Sequence, residues 1–322
     1  MRSVAIRFGQ MLLVLWAVAT LLFFMFRLMP GDPTLAYIDT TFTAEQQEAL
    51  KRQFGLDRSL LEQYLIYFGN ILRGEFGTSF RVKRPVFEVI FDVLPNTLAL
   101  TVVSITIAYM FGILAGAWLA WKRGSVAEAV GIPIVLTLRA APEFWLGMVL
   151  LAIFAFGLGW FPSGGANSAG MTFSSTFDRL TSPDFLHHLV LPAATLALYL
   201  QGLPLLLMRS NMLDVLHEDY VMMARMKGLP EWRILLLHAA RNALLPVVTA
   251  FALGLGASVG GNVVVETVFS WPGLGRVLVD AVASSDYPLA QGAFMFIAFI
   301  LIVMNFVADL LYSVLDPRVS HG

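Results

Sequence analysis

Of 322 residues, 58% are hydrophobic and only 13% are charged, with a mean hydropathy of +0.75 and a formal net charge of −1. Soluble globular domains carry about 25% charged residues, so this composition places most of the chain in lipid, and the near-neutral balance without a block of like charges excludes the basic footprint of a nucleic-acid binder. The chain has no cysteine, which removes disulfides, thiolate metal sites and thiol nucleophiles together.

The first apolar run, roughly 8–26, is longer than a signal-peptide core. It leads into Arg27-Leu-Met-Pro-Gly-Asp rather than small residues suited to cleavage, and so predicts a retained helix. A long connection follows to Pro95. In it Thr43 and Gln46 form a capping-box pattern, Leu50 and Phe54 share a helical stripe, Gly55 supplies a stop, and Leu60 to Leu72 repeats an apolar period of about 3.6. These features predict a small helical cap on the outer surface. Five further runs, near 96–120, 128–159, 187–209, 242–265 and 289–314, are long enough at about 1.5 Å per residue to cross a hydrocarbon core of about 30 Å. The sequence therefore predicts an all-α, polytopic membrane protein of about six spans. The run 128–159 is too long for one straight span and carries Pro133 and Pro142, which predicts a kink or break. The Ser-, Gly- and Thr-rich stretch 161–184 reads as a flexible loop.

Orientation follows from Lys and Arg in short loops. With the N-terminus inside, the cytoplasm receives Arg2, Arg7, Lys122, Arg123, Arg209, Arg225, Lys227, Arg233, Arg241 and Arg318, while the short outer loops hold Arg179 and Arg276. Both termini are expected in the cytoplasm.

Between the fourth and fifth spans, Asp214 to Leu245 reads DVLHEDYVMMARMKGLPEWRILLLHAARNALL. It is helical by propensity, broken at Gly228 and restarted by Pro230 with Glu231 behind it, where a carboxylate suits a helix N-terminus. Val221, Ala224 and Gly228 fall near one face, and Trp232, Leu235 and Leu236 give the second helix an apolar face. The pattern admits either an amphipathic helix on the inner leaflet or a protein-docking elbow.

The run Tyr220-Val-Met-Met-Ala-Arg-Met-Lys-Gly-Leu resembles the "EAA" coupling loop of bacterial ABC import permeases, in the version found in B-type permease subunits of the dipeptide, oligopeptide and nickel importer family. Four other stretches resemble that family in the same order: Phe26-Arg-Leu-Met-Pro-Gly-Asp-Pro; Gly74-Glu-Phe-Gly-Thr-Ser ahead of Arg84-Pro-Val; Glu266-Thr-Val-Phe-Ser-Trp-Pro-Gly-Leu-Gly; and Asp309-Leu-Leu-Tyr with Leu315-Asp-Pro-Arg. The general loop pattern opens on a glutamate and two alanines and closes on Leu-Pro. Here Met222 and Met223 replace the first two, and Arg241 stands where that proline would fall, with Pro246 later.

The resemblance implies a type I ABC importer permease with three parts: an N-terminal helix and extracytoplasmic cap (1–93), a transmembrane core with its coupling loop near 214–241 (94–314), and a cytoplasmic tail (315–322). It implies a related C-type permease, two ATP-binding subunits and an extracytoplasmic substrate-binding protein as partners. Tyr220, Ala224, Gly228, Leu229, Pro230, Glu231, Trp232 and Arg233 become the candidate ATPase-coupling residues, with Gly228 making the turn, Leu229, Pro230 and Trp232 filling a cleft, and Glu231 with Arg233 fixing register. No G-x-x-x-x-G-K-[ST] loop occurs in the sequence, so ATP and magnesium are expected on the partner subunits and no cofactor on this chain. Peptides are the favoured cargo, with nickel chelates, glutathione or opine-like solutes as alternatives.

Charges inside a membrane are costly and become functional candidates. Arg139 and Glu143, one helical turn apart beside Pro142, either neutralise each other or line the pathway. Asn262 and Glu266 are further pathway candidates, with Glu266 read as a water-reached carboxylate that gates, docks the binding protein or simply sits at the boundary. Asn305 and Asp309 share a face and suggest a bundle hydrogen bond. Gly254, Gly256, Gly260 and Gly261 suggest close packing, either at a dimer axis or within the bundle. The adjacent His187 and His188 point apart and make no metal pair. A secondary transporter would call for inverted repeats, and no repeat is visible; no hydrolase motif supports a membrane enzyme.

Overall fold

Arg2 and Arg7 ahead of an uninterrupted apolar run give α1, Arg2–Leu28, and the computed structural model describes residues 2–28, 58–259 and 262–315. Among the described residues the regular structure is helical apart from one bridge between Thr78 and Pro85. The expected Thr43/Gln46 cap, the Leu50/Phe54 stripe, Gly55, Gly260, Gly261 and Arg318 lie outside the described residues.

Helix α2, Leu60–Arg73, realises the apolar repeat. Ser59 and Glu62 close a reciprocal capping box and Gly74 ends the helix in the left-handed region at φ 76°. Its aromatic face meets α1: the Thr20 and Tyr64 hydroxyls are 2.8 Å apart and Phe23 packs on Tyr64 and Tyr67. Helix α3, Val86–Trp121, starts ten residues before the expected span. Pro95 does not open the helix but sits inside it.

The expected break in the third apolar run is present. Helix α4, Val126–Ala140, and the segment 143–157, which is α5, Glu143–Leu150, followed by a wide π-helical turn Leu151–Gly157, meet at 104°. Pro142 is the N-cap of α5, and Ala141 before it is extended, as a residue preceding proline prefers. Pro133 lies inside α4, which runs on past it. After α6, Thr176–Thr181, a second bent pair follows: α7, Pro183–Leu200, and α8, Gly202–Val215, at 43°.

The cytoplasmic connector forms α9, Asp219–Met226, and α10, Glu231–Arg233. A π-helical turn Ile234–Ala239 leads into α11, Ala240–Val259. Beyond it come α12, Val263–Val268; α13, Leu274–Ala283; and α14, Tyr287–Leu315. Counting each bent pair once, six segments among the described residues are long and apolar enough to cross a membrane.

Helices α1 and α14 run antiparallel. Phe8 meets Phe306 with ring centroids 6.2 Å apart, whereas Phe26 meets Phe294 and Tyr287 at 6.3 and 6.0 Å. The start of α1 and the end of α14 therefore share one side of the bundle. At the centre α3 packs along α8, α7 and α11, and its contact with α8 is close because of glycine. A methyl on Gly112 would sit 2.8 Å from Pro204 Cγ and 2.9 Å from the Leu205 nitrogen, and one on Gly116 would overlap the Leu205 carbonyl oxygen. This small-residue pair four apart lets two backbones touch. Gly254, one of the glycines expected to pack closely, rests against Tyr109 and Ile105 of α3, so its contact lies within the bundle.

The stretch 161–184 is not the free loop its composition suggests. The Gly165 N–H donates to the Phe269 carbonyl at 3.0 Å, Ala166 is buried, and Asp184 accepts from the Ser168 N–H and hydroxyl at 2.8 and 2.6 Å. Ser168 and Asn167 hold the loop to Asp184 of α7, and the Gly165 backbone holds it to the turn after α12.

Candidate functional site

Two regions concentrate the polar and exposed chemistry, one at each end of the bundle. At the end that carries the chain termini, α9 and α10 form an elbow. Lys227 closes α9, the Gly228 N–H donates to the Arg225 carbonyl at 2.9 Å, and Gly228 takes φ 71°. That left-handed turn costs a non-glycine residue about 1 kcal/mol. Pro230 is the N-cap, with Glu231 as the first helical residue.

One side of the elbow is welded to the membrane helices. Val221 and Ile234 are fully buried with Ala224, packed by Val215, Leu216 and Leu229. Asn242 of α11 donates to the Tyr220 hydroxyl at 2.6 Å, and Asn211 of α8 donates to the Ala243 carbonyl at 3.3 Å. The other side is free: Met222, Met223, Met226, Trp232 and Leu236 are all more than half exposed. Of the sequence candidates, Ala224 therefore faces inward, Leu229 is half-buried, and Gly228, Pro230, Glu231, Trp232 and Arg233 lie outward with Tyr220 at the edge. The expected apolar face of Trp232, Leu235 and Leu236 is divided, since Leu235 is buried in the bundle. Glu231 takes Arg225 across the turn, at 3.1 Å, as its ionic partner.

At the opposite end Glu266 is fully buried, which replaces the expected water-reached carboxylate. It accepts the Thr97 hydroxyl at 2.7 Å on Oε1 and the Arg276 N–H at 2.9 Å on Oε2, with a further donor from the Gly275 backbone. Thr97 in turn accepts the Leu274 N–H at 2.7 Å. A carboxylate and a hydroxyl from elsewhere in the chain thus cap α13, whose own N-cap Gly273 has no side chain to do so. Burial pushes the Glu266 carboxyl above the usual carboxylate range, and its hydrogen-bond donors oppose that shift. Beside it Asn96 donates to the Pro272 carbonyl at 2.8 Å and buried Trp271 donates to the Asn96 carbonyl at 3.2 Å. Asn262 donates to Thr101 at 3.0 Å, one turn further along α3. Asp286 repeats the device. It accepts from Ser79 and from the Arg81 and Leu289 N–H groups, tying the 78–85 turn to the start of α14. Sequence reading misses Thr97, Asn96 and Asp286; for the first two the Trp-Pro-Gly-Leu-Gly string, which holds their partners, is the one local signal.

Arg139 and Glu143 are not brought within 4 Å of each other, because the 104° break falls between them. Arg139 is exposed and lays its stem over Gly202, at the bend between α7 and α8, while Glu143 is half-buried at the start of α5. They do not neutralise each other as a pair. Asn305 is exposed on α14.

The bundle therefore has six candidate spans, bent central helices and an elbow anchored to two of those helices. Residues 108–321 match the family described as binding-protein-dependent transport system inner membrane component, and residues 1–101 match its N-terminal companion. The chain belongs to that family of permease subunits and is a multi-pass protein of the bacterial inner membrane. It is 40% identical over 310 residues to the oligopeptide transport system permease protein AppB of Bacillus subtilis, covering 96% of each chain. It is 38% identical to the di/tripeptide permease DppB of Pseudomonas aeruginosa (99% of this chain, 98% of that one) and 38% identical to the glutathione permease GsiC of Salmonella choleraesuis (94% of each). Among solved structures, the inward-facing MetNI methionine ABC transporter matches 71% of this chain and 96% of its own at TM-score 0.54 and 17% identity, a likeness of fold.

Proposed function

We propose that this chain is the peptide-translocating permease of an ATP-driven importer, working with a related second permease, two ATP-binding subunits that hold ATP and magnesium, and an extracytoplasmic binding protein. The observation that carries the coupling is the two-sided elbow. Its outward methionines and Trp232 offer an adaptable apolar surface to an ATPase cleft, while Val221, Ala224 and Ile234 fix its inward side to the end of α8 and Tyr220 ties it to Asn242 of α11. Displacement of the elbow then moves those helices as one unit, through Tyr220–Asn242 and Asn211–Ala243 as well as packing. Arg225–Glu231 braces the turn against collapse under load. Peptide as cargo rests on the resemblance to AppB and DppB. Arg139 and Glu143, unpaired with each other at the break in the third span, supply opposite charges for the ends of a zwitterionic cargo.

The test is uptake by the reconstituted complex of labelled dipeptide, longer peptide and glutathione, each with and without ATP. ATP-dependent uptake of peptide, lost on Trp232→Asp, supports the reading. Uptake without ATP points to a secondary carrier, and uptake of glutathione alone replaces the cargo.

A further inference from the structure

Apart from the elbow and the Glu266 cluster, the turn between α3 and α4, the first half of α4 and Arg209 of α8 form an open basin lined by Arg123, Gly124, Ser125, Glu128, Ala129, Ile132, Pro133 and Arg209. Its chemistry is divided by depth. The upper rim is cationic: exposed Arg123 lines it from the turn after Trp121, while its neighbour Lys122, outside the lining, lies over the Trp121 ring at 5.1 Å. Arg209 reaches in from α8, its Nε 2.9 Å from Glu128 Oε1, with side-chain exposure of 25%. Glu128 is occupied, since its other oxygen accepts the Gly124 N–H at 2.6 Å. Two lining cations, Arg123 and Arg209, thus act on one carboxylate whose oxygens are already engaged. The lower wall is apolar: Ala129, Ile132 and Pro133 continue into Val130 and Ile134, both more than half exposed.

The basin also sits at the right height. Trp118 and Trp121 are about half exposed at the end of the α3 span, where indole rings mark the boundary between hydrocarbon and water. A cationic rim at the inner boundary above an exposed apolar wall matches a lipid with a phosphate headgroup and acyl chains. Basic pockets between helices on the cytoplasmic side bind such headgroups, and each Lys or Arg near the surface contributes to that binding. A soluble anion would satisfy the rim but not the wall.

We propose that this basin binds an anionic phospholipid of the inner leaflet, its headgroup phosphate held by Arg123 and Arg209 and its chains lying along Ala129, Ile132 and Pro133. The site stands apart from the coupling elbow, and the proposal does not depend on the cargo. Arg209 also holds Glu128, so it serves α4 as well as the lipid.

The test is lipid retention by the transporter complex, delipidated in detergent and transferred to nanodiscs of phosphatidylethanolamine containing phosphatidylglycerol, with bound lipid counted by native mass spectrometry. Wild type should retain phosphatidylglycerol selectively. Arg123→Gln should bind it roughly 5-fold more weakly, from the one lost cation contribution of about 1 kcal/mol. Ala129→Trp, which obstructs the wall without changing charge, should weaken retention too, and Arg179→Gln in the outer loop should not. Equal retention by wild type and both basin variants would overturn the proposal. So would displacement of the lipid by inorganic phosphate, which would mark a soluble-anion site. Because the chain has no native cysteine, Ala129→Cys gives it a single thiol; efficient cross-linking of that thiol to the partner permease would show a subunit interface instead.

Discussion

The Thr97 hydroxyl donates to Glu266 at 2.7 Å across 169 residues of sequence, and both side chains are fully buried. This bond joins the first third of α3 to α12, and the pair holds the start of α13, since Thr97 and Glu266 together receive the Leu274, Gly275 and Arg276 N–H groups. Removing the carboxylate leaves several buried donors without acceptors, at about 1 to 3 kcal/mol each. Glu266→Ala should therefore lower the thermal midpoint of the purified protein strongly, and Glu266→Gln, which keeps one acceptor oxygen, should fall between. An unchanged midpoint for the alanine variant would show that the clamp does not hold this end of the bundle.

Glycine matters here by position. A methyl at Gly116 would overlap the Leu205 carbonyl oxygen and lie 3.0 Å from Met208 Cβ, forcing α3 and α8 apart, whereas Gly69 on α2 has open space around it. Gly116→Val should cost about 1 to 3 kcal/mol or more as an overpacked contact and reduce the yield of monodisperse protein. Gly69→Ala should be neutral or stabilising by about 0.5 to 1 kcal/mol. Paired size-exclusion and melting measurements check both, and a Gly116→Val protein as stable as wild type would mean the two helices need not touch.

What could be read beforehand follows from the range of each interaction. The spans and the break at Pro142 are encoded locally, in apolar runs and in a residue whose ring constrains its neighbour. The start of α3 was misplaced because Pro95 looks like a boundary, while 86–94 is helical and, through Val86, Val89 and Ile90, packs on α13 and α14. Glu266 looked hydrated because its partner Thr97 is remote and the Gly273 gap that admits its carboxylate becomes visible only in three dimensions. The Gly112/Gly116 pair, by contrast, was present as a local signal and went unused. At the elbow, Gly228 was legible as a turn. The division of Leu235 from Leu236 was not, because the wide turn over 234–239 takes more residues per revolution and rotates the buried face.

The ion pair between Arg209 and Glu128 fastens α8 to the start of α4, and it is mostly shielded, with side-chain exposures of 25% and 12%. Breaking one partner of such a pair leaves a poorly solvated charge. Glu128→Gln or Arg209→Gln alone should lower the thermal midpoint clearly, whereas the double variant should recover part of the loss. The coupling energy from the four-member cycle measures the pair; a value of zero would make it an incidental surface contact.

At the elbow, stability and coupling can be separated. Gly228 holds φ 71° with open space around it, so a new side chain meets no atoms and costs only the left-handed backbone, about 1 kcal/mol. Gly228→Asn, which tolerates that region better than alanine, should fold normally and transport at a reduced rate. Gly228→Asp should insert and fold as well, because aspartate also tolerates the turn, yet it places a charge beside the exposed Met226 and Trp232 surface on which docking is proposed to occur. The expected result is a complex with normal membrane levels, ATP hydrolysis no longer stimulated by the binding protein, and no uptake. Comparing Asp with Asn at this position keeps size and backbone demand nearly constant, so the difference between them reports the charge. Equal transport by the two variants would place the ATPase contact elsewhere, and loss of both proteins from the membrane would show that the turn serves folding before it serves coupling.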